Sequence, residues 1–553
     1  MSHSGSQSAG PASQARSKRL APWLSEGTCL FGERTALASS QSAAEDISYA
    51  ALESRTADLA SCLHGAGLRH GDAIALWLPN RPMWMVVHLA AARLGLFTVP
   101  LNTWCREVEI RHFLALGRCK AIVMDSTFRQ MDFHGVLQSS LQYLAARGDN
   151  PLRWVIDFSA TGQSGLPPQG VASLSFDELQ RRADGFITSG DEENRSMIAF
   201  PTSGTTSAPK LAVHRECALL AHTHAVALKS RMTSEDVVLG VLPPCGAYGY
   251  TLLLASLQAG ARAVLLDEFD IDQAIESIES ERVSMLAITE PLVRRLLDHP
   301  RATASRLGSL RLVFSAGGTL EPLVRRAETE FGFRITNVYG SSEVLALAAF
   351  WDDDCDVHTR SMAGGRLVSH GMCVRTVDSA GHPTPSGTEG ELQFRGPAMS
   401  CGYLSTDPAA HAAFRADGWF SSKDLGRVLD TSAGEFVYMT RLDDALRIAG
   451  FLVSPAEIEA LLQTHPAVAT AQVVGVARAY GEHLAAAFVV LKKGHQVDAH
   501  VLQEFCRKRM ASYKSPDVIE IVHKFPMTRS ANGDKVMKTR LRQMAEEILA
   551  RRH

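Results

Sequence analysis

No apolar run in the chain approaches the roughly 20 residues a membrane-spanning helix needs, so no span is expected. Neither sign of charge dominates: 56 Lys and Arg stand against 59 Asp and Glu, a net charge of −3. No overall field then draws the protein to nucleic acid or to an anionic membrane, and any bound phosphate must be held by local groups. Ten cysteines are scattered at 29, 62, 105, 119, 217, 245, 355, 373, 401 and 506, without the spacing of a zinc site. Free thiols of this kind fit a cytoplasmic protein. Internal repeats are lacking. Met1 to Lys18 is rich in Ser, Gly and Gln, without the apolar centre of a secretory signal. It reads as a disordered tail, drawn over residues 1–24.

At 553 residues and 46% hydrophobic, the chain is too long for one core. Apolar strands alternate with helices of ten or more residues: Ala73–Leu78, Trp84–Leu94, Phe97–Pro100, then Val237–Leu242, Ala263–Leu266, Ser284–Ile288 and Leu310–Ser315. That alternation predicts layered α/β structure. Residues 145–195 are poorer in pattern and read as loops or an excursion. From about Leu367 segments shorten and glycines cluster, which predicts a β-rich section over strands such as Glu391–Arg395 and Glu435–Met439. After Arg441 the pattern becomes compact α+β: helix Pro455–Gln463, strands Thr470–Val476 and Ala485–Leu491, helix Ala499–Met510, strand Val518–Val522. The fold class expected is α/β: a large N-terminal multi-layer body over 25–440 with a β-rich terminal section, and a small mobile α+β C-terminal domain over 441–553.

The chemistry gathers around Pro201-Thr202-Ser203-Gly204-Thr205-Thr206-Ser207-Ala208-Pro209-Lys210, where hydroxyls, one glycine and one lysine follow an apolar strand. Such a loop can turn N–H groups, hydroxyls and an ammonium toward a polyphosphate; a flexible Ser/Thr linker is the bland alternative. It is not a Walker loop, because Lys210 is followed by Leu211. Ser315-Ala-Gly317-Gly318-Thr319 offers bare backbone on which a planar base can lie. Asn337-Val-Tyr339-Gly340-Ser341-Ser342-Glu343 sets a ring, hydroxyls and a carboxylate on one turn, with Tyr339 suited to stacking and Glu343 to Mg²⁺. A surface turn is the alternative. Asp424, shortly after Trp419-Phe420, can grip vicinal ribose hydroxyls. Arg441-Leu-Asp443 sits at the boundary in texture, and Pro526 to Arg542 carries Lys535 and Lys538 on a turn. His222 and His224 read as packing or surface histidines, Arg507-Lys508-Arg509 as a solvated helix face, and Asp352-Asp353-Asp354 as a polar loop.

In this order, over residues 25–545, the motifs resemble the adenylate-forming superfamily of acyl-CoA synthetases, carrier-protein adenylation domains and beetle luciferases. The resemblance implies a two-step reaction. A carboxylic acid attacks the α-phosphorus of MgATP to give an acyl-adenylate and pyrophosphate, and a thiol, usually that of coenzyme A, then displaces AMP. It assigns Thr202, Ser203, Gly204, Thr205, Thr206 and Lys210 to the phosphates, and Gly317, Gly318, Thr319, Asn337, Tyr339, Gly340, Ser341 and Ser342 to the nucleotide. Asp424 and Arg441 fall to the ribose, Glu343 to Mg²⁺, Asp443 to the hinge, and Arg447 and Gly450 to the coenzyme A tunnel. Lys535 matches the catalytic lysine by its spacing to Leu541, with Lys538 as competitor because Asp534 separates Gly533 from Lys535.

Further departures are Ser342 for a commoner Thr, Lys423 for a Gly, and Arg447 for a Lys. The acyl segment Pro243-Pro-Cys245-Gly246-Ala-Tyr248-Gly249 replaces two bulky rings by Cys245 and Gly246, which is either drift or an enlarged cavity for a wide acid. The reading is an acyl-CoA ligase for a bulky, hydrophobic acid. The alternatives are a stand-alone enzyme loading an acyl carrier protein and a non-catalytic nucleotide-binding homologue. Luciferase-like oxidation is not expected, since the chain ends Arg-Arg-His rather than Ser-Lys-Leu. A homodimer is compatible with the sequence.

Overall fold

The computed structural model describes residues 19–552 except 129–130, 160–169, 187–194, 203–209, 318–319, 406–410, 443, 445, 449–450, 454, 478–482, 511–513 and 531–532. Two large sheets enclose a layer of helices. One sheet has seven strands, in spatial order Ala172–Ser175, Trp154–Asp157, Cys119–Met124, Ala73–Trp77, Phe97–Pro100, Ser196–Pro201 and Leu211–Arg215. All its neighbours pair in parallel except the last two, which run antiparallel. The helices Pro82–Leu94 and Ala247–Ala259 are each buried at 12 of 13 positions. A helix apolar all round needs cover on every side, and only a place between two sheets supplies it.

The second sheet has thirteen strands and changes character at Arg334–Ser341. On one flank that strand pairs in parallel with Leu312–Ala316; on the other it pairs antiparallel with Leu345–Phe350. The parallel half continues through Met285–Thr289, Val237–Gly240 and Arg262–Leu265, and the antiparallel half through Gly364–Leu367, Glu435–Arg441, Phe420–Asp430, Glu389–Arg395 and Cys373–Val377. The β-rich section is thus the continuation of the α/β sheet.

Beyond Arg441 a three-stranded sheet of Val468–Ala477, His483–Leu491 and Val518–Ile521 packs with helices Pro455–Gln463, Ala499–Arg507 and Lys538–Arg552. This is the large α/β body and small α+β unit expected from the sequence. Among the described residues no helix is long and apolar enough to cross a membrane.

Two expectations need correction. The tail drawn to residue 24 overlaps a helix, Leu20–Phe31, which buries Leu20, Trp23, Leu24 and Gly27. Those positions follow the i, i+3, i+4, i+7 stripe of an amphipathic helix, and Leu20 N–H donates to the buried Glu216 carboxylate at 2.6 Å. The polar stretch before it hid the stripe. Residues 145–195, expected as loops or an excursion, supply the strands Trp154–Asp157 and Ala172–Ser175 at the edge of the seven-stranded sheet. Both are only four residues long, too short to show a period.

Candidate active site

The phosphate-loop candidate joins two antiparallel strands, Ser196–Pro201 and Leu211–Arg215. Pro201 is in register with Leu211, and Thr202 N–H donates to Lys210 C=O at 2.8 Å, closing the loop at its base. Ser203, Gly204, Thr205 and Thr206 lie outside the described residues. Lys210 holds its ammonium 4.8 Å from the centre of the Tyr403 ring, a cation–π contact that orients the cation. The Tyr403 hydroxyl donates to Glu343 Oε1 at 2.7 Å. Burial, and next the Glu343 charge, push the phenol upward, so it keeps its proton and stays a donor. Ser342 Oγ donates to Pro201 C=O at 2.9 Å, tying the Glu343 turn to the start of the loop. Lys210, Tyr403 and Glu343 therefore form one connected group, and Tyr403 joins it although the motif reading passed over it. The dipeptide Gly402-Tyr403 was its only sequence signal.

Glycine is required at position 340 for a close approach: a Cβ there would lie 2.6 Å from Ala346 Cα and from Leu345 C=O. Asn337 is fully buried and donates from Nδ2 to Gly317 C=O at 3.3 Å and to Ser361 C=O at 2.9 Å. Its amide is occupied with holding the Gly317 backbone in place. Ser341 Oγ caps the turn by accepting from Glu343 N–H at 3.2 Å. Gly318 and Thr319 are outside the described residues.

Tyr339 is 6% exposed; its ring stacks on Phe394 at 5.3 Å and meets Phe436 edge-on at 5.1 Å. Its hydroxyl donates to Asp424 Oδ2 at 2.6 Å, and Arg441 donates to Asp424 Oδ1 at 2.8 Å and to Ser422 C=O at 2.7 Å. Burial drives the Asp424 carboxyl above its ordinary value, against the pull of Arg441. Each Asp424 oxygen thus accepts one side-chain hydrogen bond and has a further lone pair.

The hairpin Met527–Ser530 and Gly533–Val536 sets Lys535 opposite Thr528. Crowding by surrounding protein, and second the charge of Arg441, lower the Lys535 ammonium below its usual value. Lys538 instead points at Asp444, 3.4 Å away, and Arg542 binds the other Asp444 oxygen at 2.6 Å. Of the two candidate lysines, Lys535 is the one whose ammonium is shifted by the Arg441 charge. Arg447 lies on the strand Leu446–Ile448, whereas Asp443 and Gly450 are outside the described residues.

The acyl segment opens the buried helix Ala247–Ala259, with Gly246 at its N-cap. Cys245 is buried and its thiol is pushed up to about 12 by desolvation. Gly249 sits against the Leu242 and Pro243 carbonyls, where a side chain would collide, so its smallness serves helix–strand packing. The Tyr248 hydroxyl is buried without a hydrogen-bond partner among the described residues. Those residues also contain no group of three His, Cys, Asp or Glu side chains arranged for a metal.

Two families of sequence match: the AMP-binding enzymes over residues 30–404, and the AMP-binding enzyme C-terminal domain over residues 457–532. Among curated relatives, an indoleacetate–CoA ligase of Aromatoleum aromaticum is 30% identical, over 95% of this chain and 98% of its own. A 7a-methyl-1,5-dioxo-octahydroindenyl-propanoyl:CoA ligase of Rhodococcus jostii is 28% identical, over 93% of this chain and 96% of its own. Among solved structures, ATP-bound MatB from Rhodopseudomonas palustris superposes with a TM-score of 0.81 at 25% identity, covering 96% of this chain and 99% of that one.

Proposed function

We propose, for a chain that belongs to the AMP-binding enzyme family, a reaction on a bulky, mainly apolar carboxylic acid. The protein is an AMP-forming acid–CoA ligase. Its acid would be activated as the acyl-adenylate with release of pyrophosphate, then passed to the thiol of coenzyme A. The observation that supports the residue assignment is the Tyr339–Asp424–Arg441 hydrogen-bonded group, whose Arg441 charge also reaches Lys535.

In the first step negative charge passes from the attacking carboxylate to the α-phosphate oxygens and the leaving pyrophosphate. The Lys535 ammonium would stabilise that charge. Asp424, fixed by Tyr339 and Arg441, orients the ribose; Lys210 and the loop before it hold the leaving phosphates. Glu343 has Oε1 taken by Tyr403, which leaves Oε2 as the oxygen that would bind an ion. One carboxylate next to a triphosphate is the ordinary protein share of a Mg²⁺ site, so the residues present fit that ion. When bound it would neutralise phosphate charge, and Glu343 would anchor it.

The second step needs the Lys535 side of the site cleared for a thiol. We place the hinge at Asp443, with Gly450 giving a pantetheine chain room to pass. Asp444 is bound to Lys538 and Arg542, so the residue after the hinge travels with the C-terminal helix.

Support for a wide acid comes from Cys245 and Gly246 and from relatives named for an indole acid and a methylated bicyclic acid. The same ligase relatives favour coenzyme A over a carrier protein as acceptor, and the full set of charged site residues speaks against a non-catalytic homologue. The test is pyrophosphate release with aromatic, fatty and polycyclic acids, with and without coenzyme A. Faster turnover of straight-chain than of ring-bearing acids would refute the bulky-acid reading.

A further inference from the structure

Two histidines outside every motif above grip the backbone on either side of Glu343. His214, on the strand Leu211–Arg215, places Nε2 2.6 Å from Ser342 C=O. His222, on the helix Glu216–Lys229, places Nε2 2.8 Å from Ala346 C=O, and its Nδ1 lies 2.7 Å from Ser369 Oγ. Both rings are 1% exposed or less. Burial holds both near pKa 4, so each is a neutral imidazole. A carbonyl only accepts, so Nε2 carries the hydrogen in both rings, and His222 Nδ1 accepts from the Ser369 hydroxyl.

The carbonyls they hold bracket Glu343, Val344 and Leu345. This stretch has an uncommon backbone: Leu345 and Leu347 adopt φ of 65° and 57°, a left-handed conformation that branched side chains disfavour, and both are fully buried. Such a conformation persists only where the surroundings over-determine it. The two imidazole bonds, the close fit at Gly340 and the Ser342–Pro201 bond supply that constraint.

We propose that His214 and His222 are positioning residues for adenylate formation, holding the Ser342–Leu347 backbone so that the Glu343 carboxylate faces the phosphate loop. This rests on the reading of Glu343 as the Mg²⁺ anchor. The histidines touch neither nucleotide nor acid; they act through the segment they hold.

The experiment is calorimetric titration of the full-length enzyme with ATP, once with Mg²⁺ and once with a chelator, in the absence of acid. Adenylation is followed separately by pyrophosphate release. His214→Phe and His222→Phe remove the donor, while His214→Gln and His222→Gln restore an N–H near the Nε2 position. The Phe variants are expected to shrink the advantage of MgATP over metal-free ATP and to slow adenylation, each by about 10- to 100-fold, the usual effect of losing an outer support of a metal ligand. The Gln variants should stay within about threefold of the parent on the same scale.

Should a Phe variant fail to fold, Asn, whose amide is too short for the bond, is compared with Gln at the same position and must behave as Phe is expected to. Three results overturn the proposal: folded Phe or Asn variants that keep the parental MgATP advantage, equal losses for ATP with and without metal, or Gln variants as impaired as Phe. Glu343→Gln is the control. If it leaves the MgATP advantage intact, the reading of Glu343 itself fails, whatever the histidine variants do.

Discussion

The Tyr339 hydroxyl donates to Asp424 Oδ2 at 2.6 Å, joining residues 85 positions apart. Tyr339 lies on the strand at which the great sheet changes from parallel to antiparallel, and Asp424 lies four strands along the sheet in the β-rich half. The bond ties the strand at the parallel–antiparallel boundary to the β-rich half. Arg441, on the strand that leads to the small unit, closes the group from the other side.

Tyr339→Phe tests that bond. Asp424 would stay buried with one partner fewer, and a hydrogen bond to a charged group is worth about 1.5–3 kcal/mol. KM for ATP should rise about tenfold or more, with the acid's KM little changed. An unaltered KM for ATP would mean that Asp424 does not use its Tyr339-oriented geometry to bind ribose.

The two lysines should separate cleanly. Lys535→Ala is expected to slow adenylate formation by about 100- to 1000-fold, while thioester formation from supplied acyl-adenylate survives. Lys538→Ala removes a partly exposed ion pair, worth at most about 1 kcal/mol, and should leave adenylation near the parental rate. Pyrophosphate and thioester assays on both variants decide it; the reverse pattern would transfer the catalytic role to Lys538.

Acid should weaken the fold through the buried histidines. His214 and His222 move from an ordinary 6.5 to about 4 on folding. The unfolded chain therefore takes up protons that the folded chain refuses. Their contribution is full above about pH 6.5 and is lost as pH falls toward 4, a span worth roughly 3 kcal/mol for each ring. Urea midpoints between pH 7 and pH 4 should fall, and His222→Gln should show a shallower fall than the parent. Parallel curves would show that His222 titrates normally in the folded protein.

Gly246→His should narrow the mouth of the acyl segment. Overpacking there costs about 1–3 kcal/mol, so kcat/KM for polycyclic acids should drop more than for slender ones. An equal drop for both classes would remove the grounds for an enlarged site.

Local pattern carried much of this protein. The helix Pro455–Gln463 falls on the bounds its apolar spacing and initial proline indicate, and the strands at 73, 97, 237 and 285 follow from short apolar runs between helices. The candidate residues Thr202, Lys210, Glu343, Asp424 and Arg441 can be named from the order of their motifs, and the structure sets Asp424 and Arg441 in register on neighbouring strands. What adjacency could not decide was long-range. Whether Lys535 or Lys538 meets the site depends on Thr528 pairing with Lys535 and on Asp444 claiming Lys538.

Tyr403 gains its role from a carboxylate 60 residues away, and His222 from a carbonyl 124 residues away. A buried imidazole on a helix looks the same in sequence whether it merely fills space or holds a strained strand. The difference lies in where another segment's carbonyl is delivered, and only the closing of the two sheets on their helical layer delivers it.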